Sequence, residues 1–338
     1  MSTVPAGDAR QMPPVRPTGA TDMLSIEGLT IAFVRRNGNV AVVRNVDLSI
    51  APGQAVGLVG ESGSGKSMTA LAVMRLLPRG ARILSGKVLL EGQNLVAFRE
   101  AEMSSVRGRI VSMISQDPLT ALNPAFTVER QLTDAIRAHR ELDRRAARER
   151  AAELLALVGI PSPRSRLGAY PHEFSGGMRQ RVAIAMAVAC EPKLLIADEP
   201  TTALDVTIQA QVIALIERLR REMNLSVLFI SHNLDLVAEI CDRVSVMYAG
   251  SVVEADTAAA IFRTPRHPYT RELLRCIPRL AGGAGPLPTI PGSPPRFGAD
   301  LAGCPFAPRC SLAETRCRAE APQLRSENGR RLACWVAS

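Results

Sequence analysis

Aromatic residues are scarce in this chain, and its sequence has no long apolar run. Phe, Trp and Tyr together make up 4% of 338 residues, which argues against a protein that stacks nucleic-acid bases on aromatic rings. No apolar stretch approaches the roughly 20 residues of a membrane-spanning helix, and Met1 to Thr21 lacks the apolar centre of a signal peptide. We therefore expect a cytoplasmic, peripheral protein that binds no nucleic acid. Residues 1–23 are expected to form a disordered lead-in.

Blocks of single-sign charge are also missing, although the chain carries a net charge of +9. Its arginines are scattered, and the densest group, residues 143–150, mixes basic with acidic side chains. Mixed charges on a helix are typical of a solvated face. The basic balance therefore gives no specific indication of a nucleic-acid surface.

The seven cysteines lack the paired C-x-x-C spacing of usual structural zinc sites. Four of them lie in the last 35 residues, separated by five, six and sixteen residues: Cys304, Cys310, Cys317 and Cys334. Disulfides are disfavoured in a reducing cytoplasm, and four thiols without a nearby His indicate a metal. Zinc, an iron–sulfur cluster and unligated thiols remain open at this point. Three neighbouring cations would offset the charge of four thiolates: Arg309, Arg316 and Arg318.

Residues 60–67 contain a complete G-x-x-x-x-G-K-[ST] loop between the apolar run Val56 to Val59 and a helix-forming stretch, Met68 to Leu77. Backbone N–H groups of such a loop surround the phosphates of a nucleoside triphosphate, while the lysine bridges β- and γ-oxygens and the serine hydroxyl faces Mg²⁺. The predicted nucleotide contacts are Gly60, Glu61, Ser62, Gly63, Ser64, Gly65, Lys66, Ser67 and Met68.

Two further segments carry groups that handle phosphate. Residues 194–200 form an apolar strand that ends in Asp198 and Glu199, at the edge where open α/β sheets bind ligands. Asp198 would hold Mg²⁺, and Glu199 would orient or deprotonate the attacking water. Downstream of Phe174, the sequence Ser175-Gly176-Gly177 opens a long apolar helix, which predicts a second anion-binding helix start.

The ordered set of these motifs, together with Gln116, Ala203-Leu204-Asp205 and Ser231-His232, resembles an ABC-type ATPase over about residues 24–262. The resemblance implies ATP and Mg²⁺ as cofactors and assigns roles to single residues. Gln116 would join Ser67 and Asp198 at Mg²⁺ and contact the membrane partner. His232 would contact the γ-phosphate, and Phe33 would stack on adenine. Asp205 would be the aspartate of the D-loop, the segment that follows Asp198 and Glu199.

The same resemblance implies that each catalytic site is shared between two subunits. In ABC ATPases the Ser-Gly-Gly signature of one domain closes over the ATP of another. This chain has one set of motifs, so it needs a second ABC ATPase subunit, either a copy of itself or, as we expect, a homologous partner. Phe174 and Met178 depart from the commonest signature, which has Leu and Gln there, but Ser175 and both glycines are kept.

Four segments beyond the common motifs resemble oligopeptide and dipeptide importers: Ser115–Pro124, Arg266–Leu274, Ile290–Pro295 and Cys304–Cys310. This resemblance implies an ATP-hydrolysing subunit that powers uptake of di- or oligopeptides at the cytoplasmic face of the inner membrane. Its partners would be two transmembrane permease subunits and an extracytoplasmic substrate-binding protein. It also implies a 4Fe-4S cluster on the four terminal cysteines, with zinc as the lesser alternative.

Other functions stay open from sequence alone. Importers of nickel, glutathione or opines resemble the same subfamily. A soluble ABC ATPase acting on nucleic acid or ribosomes is the alternative of another class, although such proteins commonly carry two nucleotide domains or a long coiled coil, and neither is seen. A redox or metal sensor with a vestigial ATPase is opposed by the presence of Glu199 and His232.

The predicted fold is α/β, an ABC-type nucleotide-binding domain with a RecA-like core, an antiparallel β subdomain and a helical subdomain. Apolar runs at 111–114, 194–197, 227–230 and 244–248 predict a buried sheet layered with helices. Residues 117–175 are the predicted helical subdomain within the ATPase domain, 24–262. Residues 263–338 would form a small cysteine-containing C-terminal extension.

Overall fold

The computed structural model describes residues 21–36, 38–116, 121–202, 204–277, 289–295, 299, 302–327 and 329–337. Residues 1–20 of the predicted lead-in lie outside these ranges. Residues 117–120, where the predicted helical subdomain begins, lie outside them as well.

The strands of the described residues form two sheets. A four-stranded antiparallel sheet has the order β2-β1-β4-β5, and an eight-stranded mixed sheet has the order β11-β12-β10-β9-β3-β8-β7-β6. The strands are β1 (Leu24–Arg35), β2 (Gly38–Ile50), β3 (Ala55–Val59), β4 (Ala81–Leu90), β5 (Gln93–Asn94), β6 (Val111–Ile114), β7 (Leu194–Asp198), β8 (Ser226–Ile230), β9 (Arg243–Tyr248), β10 (Ser251–Thr257), β11 (Arg325–Glu327) and β12 (Arg330–Leu332).

Helices cover the mixed sheet and fill the segment between β6 and β7. They are α1 (Lys66–Val73), α2 (Glu100–Val106), α3 (Val128–Arg137), α4 (Arg144–Leu157), α5 (Pro163–Arg166), α6 (Gly176–Val188), α7 (Val206–Met223), α8 (Leu234–Ile240), α9 (Ala258–Arg263), α10 (Pro268–Arg275) and α11 (Thr315–Ala319), with short 3₁₀ turns at Leu95–Ala97, Pro171–Glu173 and Ala307–Arg309. Among the helices of the described ranges, none combines the length and the apolarity that crossing a bilayer requires.

The centre of the mixed sheet is parallel and fully buried. Strands β6, β7, β8, β3 and β9 pair in parallel in that order, and every residue of β3, β7 and β8 is buried. Strands covered on both faces have continuous apolar sequences, which is why the four apolar runs predicted these strands correctly. The predicted antiparallel β subdomain is also confirmed, as the four-stranded sheet.

Two helix boundaries are set by local backbone and side-chain features. Within the predicted helical subdomain, the polar run from 129 to 150 belongs to two helices, α3 and α4, and the Asp143 side chain caps the second by accepting from the Ala146 N–H at 2.7 Å. The helix after the phosphate loop ends at Val73 rather than Leu77, because Arg75 takes a left-handed φ of 53° that stops helical propagation.

The C-terminal extension packs onto the ATPase core instead of standing apart. Strand β12 pairs with β10, continuing the mixed sheet across the predicted boundary at residue 263. Tyr269 and Phe306 are buried in the same hydrophobic core as β3, β7 and β8. The extension therefore shares one hydrophobic core with the strands that precede the phosphate-binding segments.

Candidate nucleotide site

Four predicted site segments lie at one edge of the mixed sheet. The phosphate loop follows β3, Gln116 follows β6, Glu199 follows β7 and His232 follows β8. These strands are parallel neighbours, so their carboxyl ends meet. Segments separated by more than 170 residues thereby reach one place in the fold.

The phosphate loop depends on two of its glycines for its shape. Gly60 has a φ of 152°, and a Cβ there would lie 2.1 Å from the Met247 carbonyl oxygen. Gly65 has a φ of 104°, and a Cβ would lie 2.9 Å from a carbonyl oxygen of β2. Lys66 is buried, and its Nζ donates to the carbonyls of Gly60 at 2.8 Å and Glu61 at 3.0 Å. The Lys66 side chain is therefore held inside the loop that is predicted to bind the phosphates.

A cavity of about 280 Å³ lies beside the loop. It is lined by Phe33, Arg35, Val40, Val42, Ser62, Gly63, Gly65, Lys66, Ser67, Met68, Gln116 and Glu199. Most of the predicted nucleotide contacts, including the distant Phe33, are thus on one surface. Three predicted loop contacts, Gly60, Glu61 and Ser64, are not among the lining residues.

The side chains of Asp198 and Ser67, the predicted Mg²⁺ ligands, lie in hydrogen-bond contact. The Ser67 hydroxyl donates to Asp198 Oδ1 at 3.2 Å. Burial raises the pKa of Asp198 above its usual range, and the nearby Glu199 charge adds to the rise, whereas the hydrogen bond from Ser67 and the Lys66 charge oppose it. Burial likewise lowers the pKa of Lys66, although the three surrounding carboxylates oppose the shift. A cation beside these carboxylates would favour their charged forms.

The Glu199 carboxylate is held by three polar side chains. Its Oε2 accepts from Gln116 Nε2 at 2.8 Å and from the Thr202 hydroxyl at 3.0 Å, and His232 Nδ1 lies 3.2 Å from Oε1. The Glu199 backbone has a left-handed φ of 48°, and its N–H donates to the carbonyl of Ile230 at the end of β8. The structure therefore brings three predicted catalytic residues, Glu199, Gln116 and His232, together.

The signature segment lies apart from this cluster. Ser175 and Gly176 are exposed, and Ser175 caps α6 by accepting from the Met178 N–H at 3.3 Å. Neither residue lines the cavity beside the loop. Gly177 packs against α7, where a Cβ would lie 2.8 Å from Ile208 Cγ2. Asp205 is exposed and caps α7 through the Ile208 N–H at 2.9 Å.

The four terminal cysteines converge although they are spread over 31 positions. All are free thiols, and they line one small cavity together with His267, Pro268, Phe306, Ala307, Pro322, Trp335 and Val336: Cys304, Cys310, Cys317 and Cys334. Burial raises the pKa of the Cys304 and Cys310 thiols. Within the described part of the chain, no group of three or more His, Cys, Asp or Glu side chains is arranged to hold a metal ion.

The predicted role of Arg309 beside these cysteines was wrong. Its guanidinium pairs with Glu61 of the phosphate loop, with N–O distances of 2.8 and 3.0 Å. Arg316 pairs with Glu320 and lies over the Trp335 ring. Sequence reasoning predicted no contact between the extension and the loop, because nothing in a local motif indicates a partner 248 positions away.

Thr202 and Tyr269 were also missed as site residues. Thr202 lies three positions after Glu199, and that spacing beyond a catalytic carboxylate could have suggested a contact. Tyr269 accepts a hydrogen bond from the Glu61 backbone N–H at 2.9 Å. It belongs to a segment that was singled out for its resemblance to peptide importers, but nothing in that segment indicates a contact with the phosphate loop.

Comparison with known protein families gives two matches along the chain. Residues 43–202 match the family described as ABC transporter, and residues 253–317 match the family described as oligopeptide/dipeptide transporter, C-terminal region. The second match covers the segment between β10 and Cys317. The core and the extension are therefore recognised separately, and both matches concern transporters.

Curated relatives resemble the chain over nearly its whole length. It is 46% identical to the oligopeptide transport ATP-binding protein OppD of Haemophilus influenzae, over 94% of this chain and 98% of that protein. It is 45% identical to the dipeptide transport ATP-binding protein DppD of Bacillus subtilis, over 93% of this chain and 94% of that protein. The similarity thus includes the C-terminal extension.

Among solved structures, the fold resembles the ATP-binding cassette MJ0796, seen as a dimer in a post-hydrolysis state with ADP and Pi. The TM-score is 0.62 at 25% identity, over 70% of this chain and 99% of that chain. The aligned region includes almost all of that cassette but only 70% of this chain. The rest of this chain has no counterpart in the cassette.

Proposed function

Since the chain belongs to the ABC transporter ATP-binding proteins of the oligopeptide/dipeptide type, we propose that it binds and hydrolyses ATP to power peptide uptake through a membrane importer. The observation that carries this proposal is the Glu199 cluster beside a phosphate loop, in a chain whose extension matches the peptide-transporter family. The alternatives of a nucleic-acid ATPase and of a metal sensor receive no comparable support.

The geometry supports a division of labour within the site. Ser67 and Asp198 offer hard oxygen ligands 3.2 Å apart, the donor type that Mg²⁺ prefers, and Gln116 would complete the set. Bound Mg²⁺ would neutralise charge on the β- and γ-phosphates. Phe33 would stack on the adenine, and Lys66 and the loop N–H groups would bind the phosphates. Met68 lines the same cavity.

Glu199 would orient and deprotonate the attacking water. To do so, its carboxylate must accept a hydrogen bond from that water, and its oxygens now accept from Gln116 and Thr202. Movement of Gln116 toward Mg²⁺ would free one acceptor site on Oε2. His232, beside Oε1, would then be positioned to contact the γ-phosphate.

The exposed signature supports a site completed by a second subunit. Ser175 caps the 13-residue helix that begins at Gly176, and the N-terminus of a helix offers N–H groups to an anion. Asp205 is also exposed. It caps α7, the helix against which Gly177 packs, so it lies close to the signature. We propose that the γ-phosphate of the ATP bound by a homologous partner subunit lies against this surface. The helical region, 121–175, would face the two permease subunits, which receive peptide from an extracytoplasmic binding protein.

Uptake and partner identity can be tested with the membrane complex. Affinity purification of this chain from membranes should recover one homologous ATPase subunit and two permeases, and the complex should sit on the cytoplasmic face of the inner membrane. Reconstituted with its binding protein, it should import labelled di- or oligopeptides and not nickel, glutathione or opines. Import of one of those three alone would change the substrate while keeping the ATPase assignment.

For the four terminal cysteines we propose a 4Fe-4S cluster. The residues fit such a group because four thiols line one cavity with largely apolar walls, and four cysteines are the usual ligand set. Zinc, which four thiolates can also ligate, is the lesser alternative.

The cluster would act as a cross-link that holds the segments 302–317 and 329–337 together. Protein purified without oxygen should be brown and contain four irons and four sulfides per chain, and Cys310→Ser should remove the colour. Cys276→Ser, at a thiol outside the cavity, is the matched control and should stay brown. One zinc with no iron would overturn the cluster but keep the four-cysteine site, and absence of both metals would reject the site.

We also propose the domain limits 24–262 for the ATPase and 263–338 for the extension. The limit falls at the end of α9, at Arg263, and the match to the peptide-transporter C-terminal region begins ten residues earlier, at residue 253 within β10.

A further inference from the structure

One arginine of the extension reaches the phosphate loop. Arg309 lies in the 3₁₀ turn Ala307–Arg309, between Cys304 and Cys310. Its Nη1 and Nη2 donate to the two carboxylate oxygens of Glu61 at 2.8 and 3.0 Å. The Arg309 side chain is 5% exposed and that of Glu61 is 24% exposed. A two-pronged pair of this kind, largely shielded from water, constrains both partners more than a surface ion pair does.

The guanidinium is fixed by further contacts of its own. Its Nε donates to the carbonyl of Pro291 at 2.8 Å, and its Nη groups donate to the carbonyl of Ile290 and to the Tyr248 hydroxyl, each at 3.2 Å. It also lies about 6 Å from the Phe306 ring centroid. The arginine is therefore anchored on several sides besides its pair with Glu61.

The extension holds the backbone of Glu61 as well. Tyr269, which is fully buried in α10, accepts the Glu61 N–H at 2.9 Å. The Glu61 carbonyl accepts from Lys66 Nζ at 3.0 Å. A continuous chain of contacts therefore runs from Arg309 and Tyr269 through Glu61 to the lysine of the phosphate loop.

Charge gives this chain of contacts a functional consequence. Glu61 belongs to the phosphate loop, and its carbonyl accepts from Lys66 Nζ, so its carboxylate is a negative charge within the loop that is proposed to bind phosphate. An unpaired carboxylate there would repel a bound triphosphate. Arg309 supplies the opposite charge in direct contact, so the loop presents its lysine and N–H groups to phosphate without an uncompensated negative neighbour.

We propose that Arg309 is a positioning residue of the nucleotide site, which acts through Glu61 to set the shape and charge of the phosphate loop. The C-terminal extension is then a part of the ATP-binding machinery of this chain. The proposal requires the ATPase activity of the family. It is independent of the transported substrate and of the metal content of the cysteine cavity.

The test is a double-mutant cycle on the full chain, read by MgATP calorimetry. Arg309→Met should raise the MgATP Kd at least tenfold, because it leaves the Glu61 charge uncompensated beside the phosphates. Glu61→Gln alone should change Kd less than threefold. The double variant Arg309→Met with Glu61→Gln should recover to within threefold of wild type, because no unpaired carboxylate remains. Arg275→Met, which removes an exposed ion pair with Glu272 in the same extension, is the matched control and should leave Kd unchanged.

A merely structural role for Arg309 would give a different pattern. Both variants lacking Arg309 would then melt at lower temperature, with no recovery of Kd in the double variant. Equal Kd values for wild type, Arg309→Met and the double variant would overturn the proposal. Should Arg309→Met fail to fold, Arg309→Lys carries the same test. Lysine keeps the charge but loses the two-pronged geometry, so Kd should rise about threefold and recover with Glu61→Gln; an unchanged Kd would overturn the proposal.

Failure of the proposed hydrolytic function would look different again. If Glu199→Gln left hydrolysis intact while the Arg309 cycle behaved as expected, the loop contact would stand and the catalytic assignment would fall.

Discussion

The two halves of the nucleotide machinery differ in how completely this chain assembles them. Around the phosphate loop, Ser67 contacts Asp198, and Glu199 contacts Gln116, Thr202 and His232. In the described part of the chain, the Ser175 hydroxyl accepts from the Met178 N–H at the start of its own helix. One half is connected through side chains from four strand ends, whereas the other presents an exposed helix start. This contrast is what the proposed shared site requires, in which the chain binds its own ATP and a neighbouring subunit encloses it.

Glu199→Gln should have the largest effect, because it removes the proposed general base from the cluster around the phosphate loop. Glutamine keeps the shape and can still accept from Gln116, but it cannot take a proton from water. Hydrolysis by the assembled complex should fall about 10²- to 10⁴-fold, while MgATP affinity stays within a few-fold. The measurement is phosphate release together with calorimetric Kd.

Glu191→Gln is the matched control for that variant. Glu191 precedes the same strand, β7, also has a left-handed φ, and pairs with Arg140 and Arg150 at the surface. Its replacement should leave turnover unchanged. Normal hydrolysis by the Glu199 variant would remove this residue from the catalytic assignment.

Lys66→Ala should have the next largest effect, now on affinity. Charge-assisted hydrogen bonds contribute about 1.5–3 kcal/mol each, so the MgATP Kd should rise about ten- to hundredfold. Lys193→Ala, which removes an exposed pair with Glu91, is the control and should bind normally. If calorimetry gave the wild-type Kd for the Lys66 variant, the loop could not be the phosphate site.

Replacing each of two signature glycines by alanine should have a smaller effect, on thermal stability. In Gly177→Ala the new methyl group meets Ile208 at 2.8 Å, and overpacking of this kind costs about 1–3 kcal/mol. Alanine offsets up to about 1 kcal/mol of that through helix propensity. Thermal unfolding should therefore occur a few degrees lower. In Gly176→Ala the nearest atom is 3.8 Å away, so this variant should melt no lower than wild type.

Both glycine variants should bind MgATP normally, because neither residue lines the cavity beside the loop. A lower melting temperature for Gly176→Ala than for Gly177→Ala would contradict the packing of α6 on α7. The comparison needs only differential scanning measurements on the full chain and one binding isotherm for each variant.

The connected half was predictable from sequence because its chemistry is local. The phosphate loop requires a fixed spacing of glycines, and Asp198 follows a strand whose continuous apolar sequence indicates burial on both faces. Parallel strands bring their carboxyl ends together, so the meeting of Gln116, Glu199 and His232 followed once those strands were identified. The apolar strand runs were confirmed for the same reason, whereas the β subdomain was implied by the resemblance to ABC ATPases.

Other features depended on contacts that no local pattern encodes. Arg309 was expected to offset the cysteine thiolates, since they are its sequence neighbours, yet it pairs with Glu61. Tyr269 lies on the short helix α10, whose sequence gives no sign of the phosphate loop. Tertiary packing, rather than propensity, decided each of these.

The most direct test of the division between the two halves is Ser175→Arg, measured both ways. The arginine would project from an exposed helix start into the space assigned to the partner's γ-phosphate, far from the residues that line this chain's own cavity. We predict that the full chain binds MgATP with a Kd within twofold of wild type, while hydrolysis at the shared site of the assembled complex is lost. Loss of this chain's own MgATP binding, in protein that melts normally, would contradict the account.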